Sequence, residues 1–356
     1  MIAVLPLPCA VQAECGGCAL MPLSLAEQRA EKLASLARTL GEHGLHVSPP
    51  AFCDSPRPLG YRNRIRLRTE ASGQIRFFNE HKQASCAVLE PGLRARLEAL
   101  LALSRARPEL FARLLHLELR GADALGNAAL TVSGPLPSFS ELREPARELA
   151  ARLTTTLVGV RGDPEIPCQR QRILDDVFAL VPLDAFWQIN PAVNERLVSA
   201  VRAGALARRA ESALDLYSGA GNFSLPLAAA GLATCAIEIH APAIRALGAA
   251  AAMQDLPCES YAEPAQEACE RFLAEGRHFE LVLIDAPRRG AREVLASAAR
   301  LAARFVAVCS CNPATLARDL AELVRCGFEL EELGCFDMFP HTRHLEVLAW
   351  LRRARV

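Results

Sequence analysis

The chain has 356 residues, 51% of them hydrophobic, and 40 Lys and Arg balance 40 Asp and Glu for a formal net charge of zero. That is enough apolar material for two domains with cores of their own and too little bulk charge to mark a polycation, so any nucleic-acid surface must be a local patch. No uninterrupted apolar run reaches the ~18 residues of a membrane span, and the opening MIAVLPLPC lacks the basic start of a signal peptide. A cytoplasmic setting is expected, where 13 cysteines point to metal binding or catalysis before disulfides.

In chain order, Cys9, Cys15 and Cys18 come first, as C-x5-C-G-G-C. Three thiolates are one short of the four that zinc and iron–sulfur centres commonly take, and the spacing leaves both open. Cys53 and Cys86 are the candidates for a fourth; Cys86, in HKQASCAVL, follows a predicted hairpin that would return it to the start. Leu23 to Glu42 reads as an amphipathic helix with Leu25, Leu33, Leu36 and Leu40 on one side. YRNRIRLR then reads as a strand whose period of two sets Arg62, Arg64, Arg66 and Arg68 on one face and Tyr61, Asn63, Ile65 and Leu67 on the other. Four guanidinium groups in a row suit a phosphate backbone; the competing reading is an edge strand guarded by charge.

The middle of the chain predicts a helix over 92–105, strands over 115–120 and 128–132, a helix over 140–153, and strands over 154–161 and 177–183. These make a small α/β domain without a chemical motif of its own. From Asn190 onward helices and strands alternate: a helix over 191–207, a strand over 213–217, a helix from Phe223, and strands over 234–239, 281–284 and 305–308, with a helix from Pro313 to Cys326. Such repeats predict a doubly wound parallel sheet that binds ligands beyond the carboxyl ends of its strands. The expected division is residues 1–90, a cysteine segment with the arginine strand; 91–184, the central α/β domain; and 185–356, the catalytic domain.

Within that last part, DLYSGAGN (Asp215 to Asn222) is a glycine corner directly after a strand, with Gly219 and Gly221 allowing close approach of a ligand at a helix start. Nineteen residues beyond Gly219, Glu238 closes the next strand, where an acid can accept both ribose hydroxyls of a nucleoside cofactor. Dehydrogenases and S-adenosylmethionine methyltransferases share that pairing, but the third glycine of G-x-G-x-x-G is missing here. FWQIN, IDAPRRG and DMFPHTRHLEVL are expected at the same sheet edge, with Asp285 projecting into the crevice. Glu346, alone in an apolar last strand, would have its pKa raised toward that of a general base. His341, His344 and Glu346 form an alternative metal-ligand set. Cys311 falls between an apolar strand and Asn312-Pro313, a helix start, where the unpaired amides and helix dipole would push a thiol toward thiolate.

C-x5-C-G-G-C, F-x-Q-x-N-P, DLYSGAGNFSLPLA, IDAPRRG, SCNPATLARD and DMFPHTRHLE occur in the order seen in RNA uracil-5 methyltransferases, and the resemblance spans nearly the whole chain. It implies a Rossmann-like class I S-adenosylmethionine-dependent domain beside an RNA-binding central domain and an N-terminal iron–sulfur segment. By the same resemblance, Cys311 is the nucleophile and Glu346 the base, while cofactor contacts fall on Gln188, Tyr217, Asn222, Glu238 and Asp285. A [4Fe-4S] cluster is implied on Cys9, Cys15, Cys18 and Cys86. The chain departs from the pattern at Ser218, where many members have Cys, and at Ala286, where many have Pro; it also has no room before Cys9 for the added β-barrel of some relatives. The layout resembles the members that modify large-subunit rRNA, with a transfer-RNA uridine as the alternative. The expected partner is RNA, with no membrane and no obligate protein partner. A nicotinamide dehydrogenase would leave Cys311 and Glu346 idle, and so would a non-catalytic iron–sulfur RNA-binding protein.

Overall fold

The computed structural model describes residues 9, 12–48, 50–76, 86–134 and 139–355. The hairpin expected just before Cys86 lies outside the described residues. At the amino end a single turn, α1 (Gln12–Cys15), precedes α2 (Leu25–Gly41) and a short strand, β1 (Ala51–Cys53). Helix α2 starts where Ser24 and Glu27 cap it reciprocally: each side chain takes the other residue's backbone N–H, at 3.3 and 2.8 Å.

The second unit contains β2 (Arg64–Thr69), β3 (Ile75–Arg76), α3 (Pro91–Ala106), β4 (His116–Arg120), β5 (Ala129–Ser133), α4 (Phe139–Arg152) and β6 (Leu157–Val160), with sheet order β3-β2-β4-β5-β6. Its core joins Ile65 and Leu67 to Leu117, Leu119 and Leu130, under Leu93 and Leu97 of α3 and Leu149 of α4. A two-stranded ribbon of β7 (Cys168–Leu174) and β8 (Val177–Pro182) follows.

The remainder runs α5 (Pro191–Ala207), β9 (Ser212–Leu216), α6 (Ser224–Ala229), β10 (Ala233–Glu238), α7 (Ala241–Met253), β11 (Cys258–Ala262), α8 (Ala265–Ala274), β12 (Phe279–Asp285), α9 (Leu295–Leu301), β13 (Ala302–Ser310), α10 (Pro313–Arg325), β14 (Phe328–Phe336) and β15 (Glu346–Arg353). The sheet order is β1-β14-β15-β13-β12-β9-β10-β11. The chain winds outward from β9 to β11, then returns to β12 on the other side of β9. The order therefore reverses between β9 and β12, where an open α/β sheet leaves a crevice. Strand β15 is antiparallel to both of its neighbours. Two apolar layers, one on each face, bury the sheet. Among the described residues no helix is long and apolar enough to cross a membrane.

The expected boundaries need correction. The arginine strand is not part of an amino-terminal unit: β2 pairs with β4, because Ile65 and Leu67 can be buried only beneath α3 and α4. Conversely, Leu36 and Leu40 of α2 enter the core of the large sheet, and the ribbon β7–β8 packs there through Ile173, Phe178 and Val181. Strands β1, β3, β7, β11 and β14 are not among those expected. Strand β11 (CESYA) lies at the sheet edge, half exposed, and β14 (FELEELGCF) carries a register shift between Leu330 and Glu332; neither shows the clean apolar run that marks a central strand.

Candidate active site

Three strands bring the acids and the thiol of the carboxy-terminal half to one edge. Asp285, the last residue of β12, lies alongside Cys309 of β13, and Ser310 lies opposite Val347 of β15. The ladder ends there, one residue short of Cys311 and Glu346, and the Glu346 carboxyl lies near enough to act on the Cys311 thiol. The corner after β13 is braced by Asn312, whose side-chain oxygen accepts from Ala314 N (3.2 Å) while its amide donates to Arg288 O (3.1 Å). The loop bearing Arg288 is held in turn by α10: Ala291 N donates to Asp319 Oδ2 at 2.8 Å, and Arg318 donates to Arg289 O at 3.1 Å.

The electrostatics correct one expectation. The Cys311 thiol is not shifted toward thiolate: burial and then the Glu346 carboxyl push its pKa up, and Arg288 opposes them by charge and a hydrogen bond. Asn312 already caps the helix amides, and the thiol faces acids, so the dipole argument loses to local burial. Glu346 is itself raised well above the usual carboxylate range, first by burial and then by Asp285, again with Arg288 opposing. Arg288 is the site residue the sequence reading missed. Its only signal was a cation in a loop leaving the strand that ends with Asp285.

The glycine corner follows β9. Tyr217, Gly219 and Gly221 all have positive φ (64°, 56° and 92°). A Cβ on Gly219 would meet nothing within 4 Å, so that side of the turn is open, whereas one on Gly221 would come within 2.9 Å of Leu225 and 3.0 Å of Leu247. Gly221→Ala is therefore expected to destabilise the fold by about 1–3 kcal/mol, read by denaturant unfolding. Glu238 accepts from Gly219 N (3.1 Å) and His240 N (2.8 Å), which fixes its carboxylate at the end of β10. Asn222 and Asn194 exchange two side-chain hydrogen bonds, 2.8 and 3.0 Å. Tyr217 donates its hydroxyl proton to Glu293 (3.2 Å).

Asp215 is wholly buried and pushed up to about 7 by that burial; Ser224 donates to one of its oxygens and the other has no partner among the described residues. Gln188 is buried in the segment joining the ribbon to α5. Two residues on, Asn190 caps α5 through Val193 N (3.4 Å) and donates to Met338 O (3.4 Å). FWQIN and the segment after β14 thus meet, as expected.

Beside this edge, Cys9, Cys18 and Cys86 pack against Met21, Tyr61, Val88 and Ile189. The Cys18 thiol is pushed up to about 12, first by burial and then by Cys86, Cys15 and Cys9, with Arg62 opposing. Cys53 is not among these groups; it sits on β1 and takes a hydrogen bond from Arg196 (3.5 Å). Among the described residues no group of three or more His, Cys, Asp or Glu is gathered tightly enough to hold an ion as it stands. That includes the alternative set of His341, His344 and Glu346, and His341 is instead hydrogen-bonded to Gln28. The arginine strand alternates from Arg64 onward, with Ile65 and Leu67 in the core, whereas residues 61–63 precede the strand and Tyr61 packs with the cysteine segment. Arg64 lies over the Phe186 ring, 5.2 Å from its centroid, and 3.9 Å from Glu118, so the basic face runs into the FWQIN segment.

Residues 174–260 and 268–354 match the tRNA (uracil-5-)-methyltransferase family. A 23S rRNA (uracil(1939)-C(5))-methyltransferase RlmD of Vibrio campbellii is 30% identical, over 97% of this chain and 82% of its own. Its counterpart in Pseudomonas aeruginosa is 33% identical, over 96% and 79%. In fold, the chain resembles the Pyrococcus abyssi tRNA (uracil-54, C5)-methyltransferase, solved with S-adenosyl-L-homocysteine, with a TM-score of 0.70 at 23% identity over 94% of this chain and 85% of that one.

Proposed function

The chain belongs to the RNA uracil-5 methyltransferase family, and from that premise we propose that it methylates C5 of a uridine in RNA with Cys311 as nucleophile and Glu346 as general base. The register of β13 and β15 carries this reading, because the thiol and the buried carboxyl are the residues next beyond its last pair, at the open end of the sheet. Bound S-adenosylmethionine supplies the methyl group. Uracil C5 is too weak a nucleophile to take it unaided. The Cys311 sulfur adds to C6, the ring becomes an enolate, and C5 then takes the methyl. Glu346 removes the proton left on C5; that electron pair forms the C5–C6 double bond as the C6–S bond breaks and Cys311 leaves. Arg288, beside both groups, stabilises the sulfur anion and the ionised base, and Asp285 orients the base edge.

Gln188, Tyr217, Gly219, Gly221, Asn222 and Glu238 are proposed to line the cofactor cavity. The open side of Gly219 and the anchored Glu238 carboxylate support this. The arginine face of β2, continuous with exposed Phe186, suits an RNA backbone held while one uridine is turned out of its stack. Large-subunit rRNA is the favoured substrate, in line with what the two bacterial relatives are named for. A cytoplasmic setting fits that substrate. Mapping 5-methyluridine in total RNA from a strain lacking the gene tests the assignment: one uridine of large-subunit rRNA is expected to lose its methyl group. A fully methylated map would reject it.

We further propose that Cys9, Cys15, Cys18 and Cys86 hold a [4Fe-4S] cluster. The donor chemistry suits such a cluster, and Cys9, Cys18 and Cys86 pack against the same apolar side chains. Its part would be structural, because no step above moves an electron. Anaerobically prepared protein is expected to carry roughly four irons per chain. In Cys86→Ser the iron content and its visible absorbance should fall by most of their value, and unchanged iron would discard the ligand set.

A further inference from the structure

Residues 337–345, between β14 and β15, end directly on Glu346, and their shape is set largely from the far end of the sequence. Lys32, only 1% exposed at its side chain, donates from Nζ to Asp337 Oδ1 (2.6 Å) and to Phe339 O (3.1 Å). Gln28, also buried, accepts from His341 N (2.9 Å) through Oε1. That bond orients the amide so that its Nε2 faces the ring and donates to His341 Nδ1 (3.1 Å); Nδ1 must then be an acceptor. Leu20 N donates to His341 O (2.9 Å), and Tyr61 donates to Pro340 O (3.3 Å).

His341 itself has φ 68°, a left-handed conformation that a non-glycine residue keeps only where its surroundings impose it. Here both of its backbone groups are answered by residues 20–28. A buried lysine–aspartate pair gives little net stability over apolar packing, but its fixed hydrogen-bond directions select one arrangement of the chain. Leu20 also lies two residues after Cys18, whose carbonyl accepts from Met21 N (3.0 Å) and from the Gln12 side chain (3.1 Å). The cysteine segment and the stretch leading to Glu346 therefore share one hydrogen-bonded frame.

We propose that Gln28 and Lys32 are positioning residues that hold residues 337–345 in the one conformation seating Glu346 against the C5 proton, thereby tying the amino-terminal segment to the last step of the reaction. This rests on the reading of Glu346 as the base. The two steps of the reaction separate experimentally. A 5-fluorouridine ring has no C5 proton, so adduct formation on it needs Cys311 and methyl transfer but not the base, whereas turnover on uridine needs all three.

The test uses the full-length chain with large-subunit rRNA transcripts made with uridine or with 5-fluorouridine, and turnover is divided by the amount of enzyme that forms the fluorouridine adduct, so unfolded protein does not count. Lys32→Met is expected to form the fluorouridine adduct within about twofold of the wild-type rate while turnover on uridine falls about 10- to 100-fold and a covalent adduct accumulates there. Gln28→Met, which leaves no buried charge behind, should show the same split to a smaller degree, and it carries the test if Lys32→Met melts below the assay temperature. Unchanged turnover, or equal slowing of both steps, would overturn the positioning role. Failure of the wild type itself to form the fluorouridine adduct would instead overturn the reading of Cys311.

Discussion

Cys311→Ala is expected to form no covalent complex with 5-fluorouridine RNA and to lose methyl transfer by at least about 10⁴-fold, the scale on which removing a covalent nucleophile acts. The reasoning starts from the ring. Without addition at C6, C5 carries no useful electron density, and no neighbouring group can replace the sulfur. Of the other cysteines near this edge, Cys309 is buried inside β13 with its thiol pushed far up by burial, so it cannot serve in place of Cys311. Denaturing gels with labelled cofactor read the adduct directly, and recovery of a full-strength band from Cys311→Ala would remove Cys311 from the mechanism. Because burial raises the thiol's pKa, the wild-type rate of adduct formation should climb with pH through the neutral range. Removing Arg288, the cation opposing that rise, should move the climb to still higher pH.

Much of this site was legible in the chain because its parts are local. A strand, a corner and a capped helix around Cys311 are written in consecutive residues, as is the glycine corner followed by Glu238. What could not be read is which strands become neighbours. Strand β15 inserts antiparallel between β13 and β14, and only that insertion brings Glu346 near Cys311. The state of the thiol was misjudged for the same reason: the helix dipole is a property of adjacent residues, while the burial and the Glu346 carboxyl that prevail over it come from elsewhere in the sheet. Chain order groups the arginine strand with the cysteine segment, but its inward pair Ile65 and Leu67 needs a covering layer, which α3 and α4 provide. Gln28 and Lys32 show the reverse case. In the sequence they interrupt a helix face with polar side chains, and their purpose appears only once residues 337–345 lie against them.

Glu346→Gln is expected to stop the reaction two steps later than Cys311→Ala does. The amide keeps the shape of the carboxyl and can still hydrogen-bond, so RNA binding, addition and methyl transfer should proceed, but it cannot take a proton from C5. The methylated adduct should then accumulate on ordinary uridine RNA, with turnover reduced by about 10²–10⁴-fold, the usual contribution of a general base. The pH dependence follows from the same carboxyl. Burial and Asp285 raise its pKa, so in the free protein at low pH it holds a proton and cannot act as a base. As pH rises through its own pKa the proton leaves, and release of product should accelerate until ionisation is complete. Adduct formation on 5-fluorouridine RNA should follow Cys311 alone, and turnover on uridine should follow both groups, so the difference between the two profiles isolates Glu346. In Glu346→Gln the rise that belongs to Glu346 should be missing from the turnover profile. If turnover in this variant stays at the wild-type level with the wild-type profile, another group removes the proton and the assignment of Glu346 fails.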